Sequence, residues 1–141
     1  MINSRNIADL HPRVQNLARN FIHECEDHGI TLLVTSTYRD AESQNALYAQ
    51  GRTAPGKVVT NAKAGQSFHN WRVAFDVVPI VNGKAVWNDD ALWKKIGAIG
   101  QECGLEWGGA WKSIHDTPHF QFTGGLKLAD FQAGARLPTE A

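Results

Sequence analysis

The sequence has little of several features that define other classes of protein. Lys and Arg number 14, and Asp and Glu also number 14, so the formal net charge is zero. This balance excludes the basic surface expected of a nucleic-acid-binding protein or of a polybasic membrane-binding segment. No apolar run approaches the roughly 18 residues of a membrane span. We therefore expect neither a nucleic-acid partner nor membrane insertion.

Cysteine is also scarce. Cys25 and Cys103 are the two cysteines of the chain and lie far apart in sequence. Two cysteines are too few for a disulfide framework, so we expect both thiols to be reduced. The first residues, MINSRNIADLHPRV, contain no apolar stretch after their charged residues. We therefore expect no secretory signal peptide and synthesis in a cytoplasm.

The pattern of apolar and turn residues predicts one domain over residues 1–141, of the α+β class, with a small antiparallel sheet and flanking helices. Helical periods indicate helices at residues 10–29, 40–50 and 89–102. Short apolar or alternating runs indicate strands at residues 30–35, 73–78, 84–87, 105–107 and 119–122. The polar segment 51–68 is long enough to predict a functional or mobile loop. We expect the tail, residues 126–141, to form a short helix packed on the domain.

His69, Asp76 and His119 form a candidate metal-binding set. Two imidazoles and a carboxylate are a known set of catalytic zinc ligands that leaves one position open for water. The alternative is that Asp76 pairs locally and that both histidines are ordinary core residues. A fully extended chain would place His69 about 23 Å from Asp76, whereas ligands of one zinc need α-carbons within about 12 Å. The segment 69–72 must therefore turn before the strand begins.

Asp116 is a candidate for proton transfer beside this set. It precedes His119 by three residues, with Thr117 and Pro118 between them. Pro118 restricts Thr117 to extended geometry, which would hold Asp116 and His119 in a fixed relation. A carboxylate there could take a proton from the attacking water and return it to the leaving amine. The alternative is a local Asx turn without a catalytic role.

Several motifs, in the correct order, resemble the family of zinc D,D-carboxypeptidases and L-alanyl-D-glutamate peptidases, which includes the VanY-type carboxypeptidases and several phage endolysins. The signature of this family is Ser-x-His-x-x-Gly-x-Ala-x-Asp, followed later by Asp/Glu-x-x-His. The matching residues are Ser67-Phe68-His69, Ala74, Asp76 and Asp116-Thr117-Pro118-His119. The similarity extends over residues 30–125 and also includes Ser36-Thr37-Tyr38-Arg39, Gly104-Leu105-Glu106-Trp107-Gly108-Gly109-x-Trp111 and His119-Phe120-Gln121.

The resemblance implies a role for each of the matching polar residues. His69, Asp76 and His119 would hold one zinc ion, and Asp116 would act first as general base and then as general acid. Arg39 would stabilise the substrate carbonyl as negative charge develops on its oxygen. The alternative for Arg39 is a surface arginine paired with a neighbouring acidic residue.

Other residues near these motifs are candidates for the walls of a substrate cleft. Ser67 would support the site by hydrogen bonding or simply occupy a turn. Trp71, Trp107 and Trp111 could line the cleft, with packing in the core as the alternative for each. His115 lies beside Asp116 in the same polar loop. For Trp87 and Trp93 we expect positions in the core.

Arg72 departs from the family signature, which has glycine at this position. The departure falls on the turn that must bring His69 back towards Asp76. Glycine usually marks a positive φ or a close approach of the backbone. Either the turn uses ordinary backbone angles, or Arg72 bears strain, or the geometry of the site differs. Since every ligand position is filled, we expect ordinary backbone angles at Arg72.

The resemblance implies a zinc-dependent peptidase that cleaves the peptide of bacterial peptidoglycan at the L-alanyl-D-glutamate bond. The resemblance favours a monomeric phage-type endolysin, made in the host cytoplasm and acting on the cell wall after release. One alternative within the family is a D-alanyl-D-alanine carboxypeptidase. Another is a non-catalytic cell-wall-binding module on the same scaffold.

Overall fold

A computed structural model describes residues 1–112 and 115–139 of the chain, so residues 140 and 141 of the predicted tail lie outside the described residues. The helices are α1 (Pro12–Asp27), α2 (Ala41–Ala49), α3 (Asp90–Glu102) and α4 (Leu128–Gln132). The strands are β1 (Thr31–Ser36), β2 (Ala74–Val81), β3 (Lys84–Ala85), β4 (Glu106–Trp107) and β5 (His119–Gln121). Short 3-10 helices lie at Ile7–Asp9, Phe68–Trp71 and Gly108–Ala110. The predicted α+β class is confirmed.

The starts of the long helices follow from capping residues. The side chain of Asp40 accepts a hydrogen bond from the backbone N–H of Ser43, and α2 begins directly after it. Asp89 caps α3 in the same way. α1 begins at Pro12 rather than at residue 10, because proline is favoured at the first helical position. Among the described residues, no helix has both the length and the apolar character needed to cross a bilayer.

The strands form an antiparallel sheet whose centre is β2. The order is β1-β2-β5-β4, and β3 pairs with the far end of β2. Asp76 on β2 lies opposite Ser36 of β1 on one side and opposite His119 of β5 on the other. The register therefore places one carboxylate of the candidate site next to one of its histidines before any side chain is considered.

Three phenylalanines join the helices to the sheet. Phe21 of α1, Phe75 of β2 and Phe120 of β5 are each 0% exposed, and the ring centroids of Phe21 and Phe120 are 4.6 Å apart. Burying a side chain of this kind contributes roughly 1.5–3 kcal/mol. Gly100 lets α3 approach this cluster, because a Cβ at that position would collide with the ring of Phe120.

The hairpin after β2 differs from the prediction. A return strand was expected over residues 84–87, but pairing ends at Ala85. The chain leaves the sheet before Trp87, which is 49% exposed, so the expectation of a core position for Trp87 is wrong. Trp93 does lie in the core, and its Nε1 donates a hydrogen bond to the carbonyl of Trp87 at 2.8 Å.

The prediction of ordinary backbone angles at Arg72 is also wrong. Arg72 has φ 65° and ψ 24°, the left-handed conformation that glycine adopts most easily. This conformation costs a residue with a Cβ about 1–2 kcal/mol. The arginine side chain offsets part of this cost, since its guanidinium lies 3.7 Å from the centroid of the Tyr38 ring and donates to the carbonyl of Asp9. The turn therefore has the geometry that glycine would give it.

Candidate metal centre

Three elements bring His69, Asp76 and His119 together. His69 lies on the 3-10 helix Phe68–Trp71, Asp76 on β2 and His119 on β5. Oδ1 of Asp76 is 3.2 Å from Nε2 of His69 and 3.2 Å from Nδ1 of His119. One potential ligand atom from each residue lies within 4.8 Å of the others. The convergence that the sequence required is present in the fold.

The turn that carries His69 is built by its neighbours. Ser67 caps it, since its Oγ accepts a hydrogen bond from the backbone N–H of His69 at 3.3 Å. Asn70 closes the same turn by accepting from the N–H of Ser67. Arg72 then ends it in the left-handed conformation. Ser67 thus lines the site and also fixes the backbone that presents His69.

Hydrogen bonds on the far side of each ring orient both histidines. Nδ1 of His69 lies 2.8 Å from the carbonyl oxygen of Thr37, and a carbonyl can only accept, so this nitrogen carries the proton. Nε2 of His119 donates in the same way to Oε1 of Gln121 at 2.7 Å. The other nitrogen of each ring therefore faces Asp76, where it is placed to bind a metal ion once it is deprotonated. Such outer partners are typical of metal-binding histidines.

The donor set fits a zinc ion. Nitrogen and carboxylate ligands lie about 2.1 Å from zinc in tetrahedral sites, which places neighbouring ligand atoms about 3.4 Å apart. The two distances of 3.2 Å between Asp76 and the histidines are close to this value. Burial by itself would raise the pKa of Asp76, but hydrogen bonds from His119 and His69 outweigh it and hold this pKa well below its usual range. Asp76 is therefore ionised, as a metal ligand must be.

Asp116 lies at the rim of this cluster. Its Oδ2 is 3.9 Å from Nδ1 of His119, and its side chain is about half exposed. The loop folds back because the N–H of Asp116 donates to the carbonyl of Gly108, where a Cβ would collide with the carbonyl oxygen of Asp116. Partial burial raises the pKa of Asp116. A carboxylate with a raised pKa accepts a proton more readily than an exposed one.

Arg39 is held by neutral partners rather than by an adjacent acid. Its Nη1 donates to Oε1 of Gln44 at 3.0 Å and its Nη2 donates to Oγ of Ser36 at 3.2 Å. Asp40, which could have paired with it, instead accepts hydrogen bonds from backbone N–H groups. Nε of Arg39 is buried and has no partner among residues 1–112 and 115–139. Because Gln44 and Ser36 are neutral, the guanidinium keeps its positive charge at the wall of the cavity that contains the candidate ligands.

These groups face one cavity of about 450 Å³. It is lined by Arg39, His69, Asp76, Trp111, Asp116 and His119, among others. The Trp111 ring lies against His119, with centroids 5.2 Å apart. A concave site with convergent polar groups and an aromatic wall is typical of a binding site for small substrates. We call it the metal-site cavity.

Trp71, Trp107 and His115 are not among the described residues that line this cavity. Trp71 stacks on Phe131 of α4, with the ring centroids 6.2 Å apart, so it attaches the C-terminal segment to the domain. Trp107 donates from Nε1 to the carbonyl of Thr117 and so supports the loop that carries Asp116. His115 is exposed, and its Nδ1 contacts the carbonyl of Gly109. Of the three tryptophans expected at the cleft, Trp111 is the one that lines it.

Sequence reasoning assigned no role to Gln121, Thr37 or Gln44. For Gln121 the sequence does contain a signal. Residues two apart on a strand face the same side, so a strand that directs His119 into the site also directs Gln121 into it. Thr37 acts through its backbone carbonyl, which no side-chain motif reports. Gln44 orients Arg39 and is 0% exposed. A buried glutamine on a short helix is the weak signal that could have indicated it.

A buried His–Asp–His cluster, with a carboxylate at its rim and an arginine beside it, defines the site of a metal-dependent hydrolase. Comparison with known proteins makes the class more specific. A family model described as D-alanyl-D-alanine carboxypeptidase matches residues 60–122, the segment that contains all three candidate ligands and Asp116.

Two curated proteins are similar over most of the chain. Peptidoglycan L-alanyl-D-glutamate endopeptidase CwlK of Bacillus subtilis (strain 168) is 34% identical over 123 residues, which cover 81% of this chain and 74% of that protein. L-alanyl-D-glutamate peptidase of Listeria phage A118 is 31% identical over 125 residues, which cover 84% of this chain and 41% of that protein. The chain therefore belongs to the family of VanY-like zinc D,D-carboxypeptidases and L-alanyl-D-glutamate peptidases.

Solved structures share the fold. The L-Ala D-Glu endopeptidase ChiX of Serratia marcescens superposes with a TM-score of 0.63 at 24% identity, covering 86% of this chain and 89% of that chain. A VanY D,D-pentapeptidase solved with Zn(II) superposes with a TM-score of 0.58 at 14% identity, covering 85% and 82%. Given its family and its site, the protein is a metallopeptidase that cleaves the peptide of peptidoglycan.

Proposed function

We propose that the protein is a zinc endopeptidase that cleaves peptidoglycan between L-alanine and D-glutamate. The observation that carries this proposal is the cluster of His69, Asp76 and His119 with Asp116 at its rim. The choice of bond is supported by the two curated relatives, both of which are named for the L-alanyl-D-glutamate bond.

In this proposal His69, Asp76 and His119 hold the zinc ion. When bound, zinc lowers the pKa of water and polarises a carbonyl group. The carboxylate of Asp116 accepts one proton from the attacking water and later donates it to the nitrogen of D-glutamate as the peptide bond breaks. Arg39 lines the same cavity and provides positive charge near the carbonyl oxygen, where negative charge develops.

A D-alanyl-D-alanine carboxypeptidase is the second candidate. It is supported by the description of the matching family model. Both reactions hydrolyse an amide that precedes a D-amino acid, so the metal centre serves either one. The walls of the cavity beyond the metal centre must then select the substrate.

A non-catalytic cell-wall-binding module on this scaffold was the other alternative. The sequence feature that favours such a module is the replacement of the signature glycine by Arg72. The left-handed backbone at Arg72 removes that argument, because the turn still brings His69 to Asp76. The site retains the residues that hydrolysis needs.

We also propose that the protein acts as an endolysin, as a monomer made in a host cytoplasm that reaches the cell wall after release. The similarity to a peptidase of a Listeria phage supports this role. Lysis of host cells after expression together with a membrane-permeabilising protein, and not without it, is the expected result. Lysis by the protein alone would contradict this route to the wall.

The test of the bond is digestion of purified peptidoglycan followed by mass spectrometry of the products. We expect peptides that begin with a free D-glutamate amine, together with glycan strands that keep L-alanine. A chelator should stop their release and added zinc should restore it. Release of single D-alanine residues would instead identify the carboxypeptidase.

A further inference from the structure

We propose that a second cavity beside the metal centre binds the uncharged N-acetylmuramoyl group that carries the scissile L-alanine. We call it the α4 cavity, because one wall is formed by Leu128, Ala129 and Gln132 of α4. Its volume is about 960 Å³, which is in the range of ligand-binding pockets. This inference rests on the proposed cleavage of the L-alanyl-D-glutamate bond and specifies which part of the substrate lies here.

The two cavities are continuous. Thr60, Gln66, Trp111 and Asp116 line both of them, so a substrate at the metal centre can extend directly into the α4 cavity. In peptidoglycan a single alanine residue and a lactyl group separate the scissile carbonyl from the sugar ring. These two units span about 7 Å when extended. A sugar bound in the neighbouring cavity is therefore within reach of a peptide positioned for cleavage.

Two amide side chains of the α4 cavity, those of Asn61 and Gln66, are held in place through their oxygen atoms. Asn61 accepts from Nη2 of Arg52 at 2.9 Å through its Oδ1. Gln66 accepts from the N–H of Lys63 at 2.9 Å through its Oε1. The NH₂ groups of Asn61 and Gln66 make no hydrogen bond to the residues that the structure describes. Two oriented donors are thus available to a ligand.

Thr60 and Gln132 also use one hydrogen-bonding group within the protein and leave another for a ligand. Oγ1 of Thr60 accepts from the N–H of Ala62 at 3.1 Å, which leaves its O–H to donate. Gln132 donates through Nε2 to the carbonyl of Gly65 at 2.9 Å, which leaves its Oε1 to accept. The cavity therefore offers three donors and one acceptor from neutral groups. An acetamido group and ring hydroxyls match this set, because they contain several acceptors and a few donors.

The lack of charged groups in the described lining of the α4 cavity makes it unsuitable for the charged half of the substrate, which begins with D-glutamate. Apart from Asp116, which belongs to the metal centre, the described residues that line the α4 cavity carry no charged side chain. On the far side of the scissile bond, D-glutamate and the diamino acid carry carboxylate and ammonium groups that would be desolvated without partners. The lactyl amide and the sugar carry no charge. The indole of Trp111 adds an apolar face for the C–H groups of a sugar ring.

Arg52 holds the wall that carries Thr60 and Asn61 in place. Its Nη1 donates to the carbonyls of Tyr48 at 2.6 Å and of Thr60 at 3.0 Å, and its guanidinium lies 4.0 Å from the centroid of the Tyr48 ring. These contacts tie the segment after α2 to the helix itself. The donors of the cavity are consequently oriented before a ligand arrives, which reduces the entropy lost on binding.

The test compares two synthetic substrates with the zinc-loaded full chain. One is N-acetylmuramoyl-L-alanyl-D-glutamyl peptide, and the other is the same peptide with an acetyl group in place of the sugar. Two or three neutral hydrogen bonds are expected to lower KM for the sugar-bearing substrate about tenfold. We expect N61A and Q132A each to reduce this ratio several-fold. Gln101→Ala, at an exposed position of α3, is the matched control and should leave the ratio unchanged.

The ratio of the two substrates is the measured quantity, so a general loss of activity does not imitate the expected result. Equal KM values in the unmodified protein would overturn the inference while the proposed function stands. If neither substrate is cleaved at this bond, the proposed function is wrong. Calorimetry with N-acetylmuramoyl-L-alanine then still tests the cavity, because binding that Q132A weakens supports the inference and undetectable binding overturns it.

Discussion

Replacing Gln121 by leucine tests how the protein holds its metal. The substitution keeps the approximate volume of the side chain and removes the acceptor of the proton on Nε2 of His119, which lies 2.7 Å from Oε1 of Gln121 in the structure. Gln121 is 4% exposed, so water has little access to replace the lost acceptor. The N–H of His119 would then be buried without a partner unless the ring turned or changed its tautomer. A turned ring, or the other tautomer, would no longer direct the lone pair of Nδ1 at the metal.

The size of the effect follows from the hydrogen bond that Gln121 accepts from a metal-binding histidine. Loss of an outer partner of a metal-binding histidine typically costs 10–100-fold in metal affinity. We therefore expect Gln121→Leu to weaken zinc binding by this factor, which corresponds to about 1.4–2.7 kcal/mol. Gln121→Glu keeps an acceptor oxygen at the same place and should restore most of the affinity.

The assay is a zinc titration of the metal-free protein against a chromophoric chelator at pH 7.5. Gln101→Leu, on the exposed side of α3, is the control and should bind zinc as the unmodified protein does. Nitrogen NMR of the imidazoles in the metal-free protein reports the tautomer of His119 independently of zinc. If Gln121→Leu binds zinc within twofold of the unmodified protein and the tautomer is unchanged, Gln121 does not orient the ligand.

Three other predictions follow from the site and its turn. Asp116→Ala should retain one zinc per chain and its thermal stability while turnover falls at least 100-fold; substantial cleavage by this variant would remove Asp116 from the proton transfer. Arg72→Gly should be more stable than Arg72→Ala by about 1 kcal/mol in denaturant unfolding, because both lose the arginine contacts but only glycine relieves the positive φ; equal stabilities would show that the backbone is unstrained. In the metal-free protein, burial by itself would lower the pKa of His119, but Asp76 raises it above its usual value of 6.5. The imidazolium–carboxylate pair therefore stabilises the fold below about pH 6.5, and this contribution is lost as the pH rises through the higher pKa of the folded state. The difference in unfolding free energy between the unmodified protein and His119→Gln should shrink between pH 6 and pH 9 in chelator, and a constant difference would contradict this reasoning.

The positions of the helices and of the metal cluster were predictable because their signals are local. Asp40 and Asp89 cap helices through hydrogen bonds that span three residues. The need for a turn after His69 followed from the length of an extended chain alone. Strand ends were less predictable, and the hairpin strand stops at Ala85 rather than at residue 87, because pairing depends on a neighbouring strand.

The roles of the tryptophans could not be predicted, because an indole ring can pack in a core or line a cleft. Trp71 lies against Phe131 of α4, Trp107 against Gly97 of α3 and Trp111 against His119 of β5. Which element each ring covers is determined by tertiary packing, and the sequence around each tryptophan does not indicate it.

The sequence by itself determined the kinds of ligand, their order and the requirement that they converge, since these depend on residue type and chain length. Tertiary structure alone decided that the carbonyl of Thr37 sets the tautomer of His69, that Arg72 stacks on Tyr38 from its left-handed turn, and that a neutral cavity extends from the metal centre. Each of these is a relation between segments far apart in sequence. Such relations exist only once the sheet register has placed β1, β2 and β5 side by side.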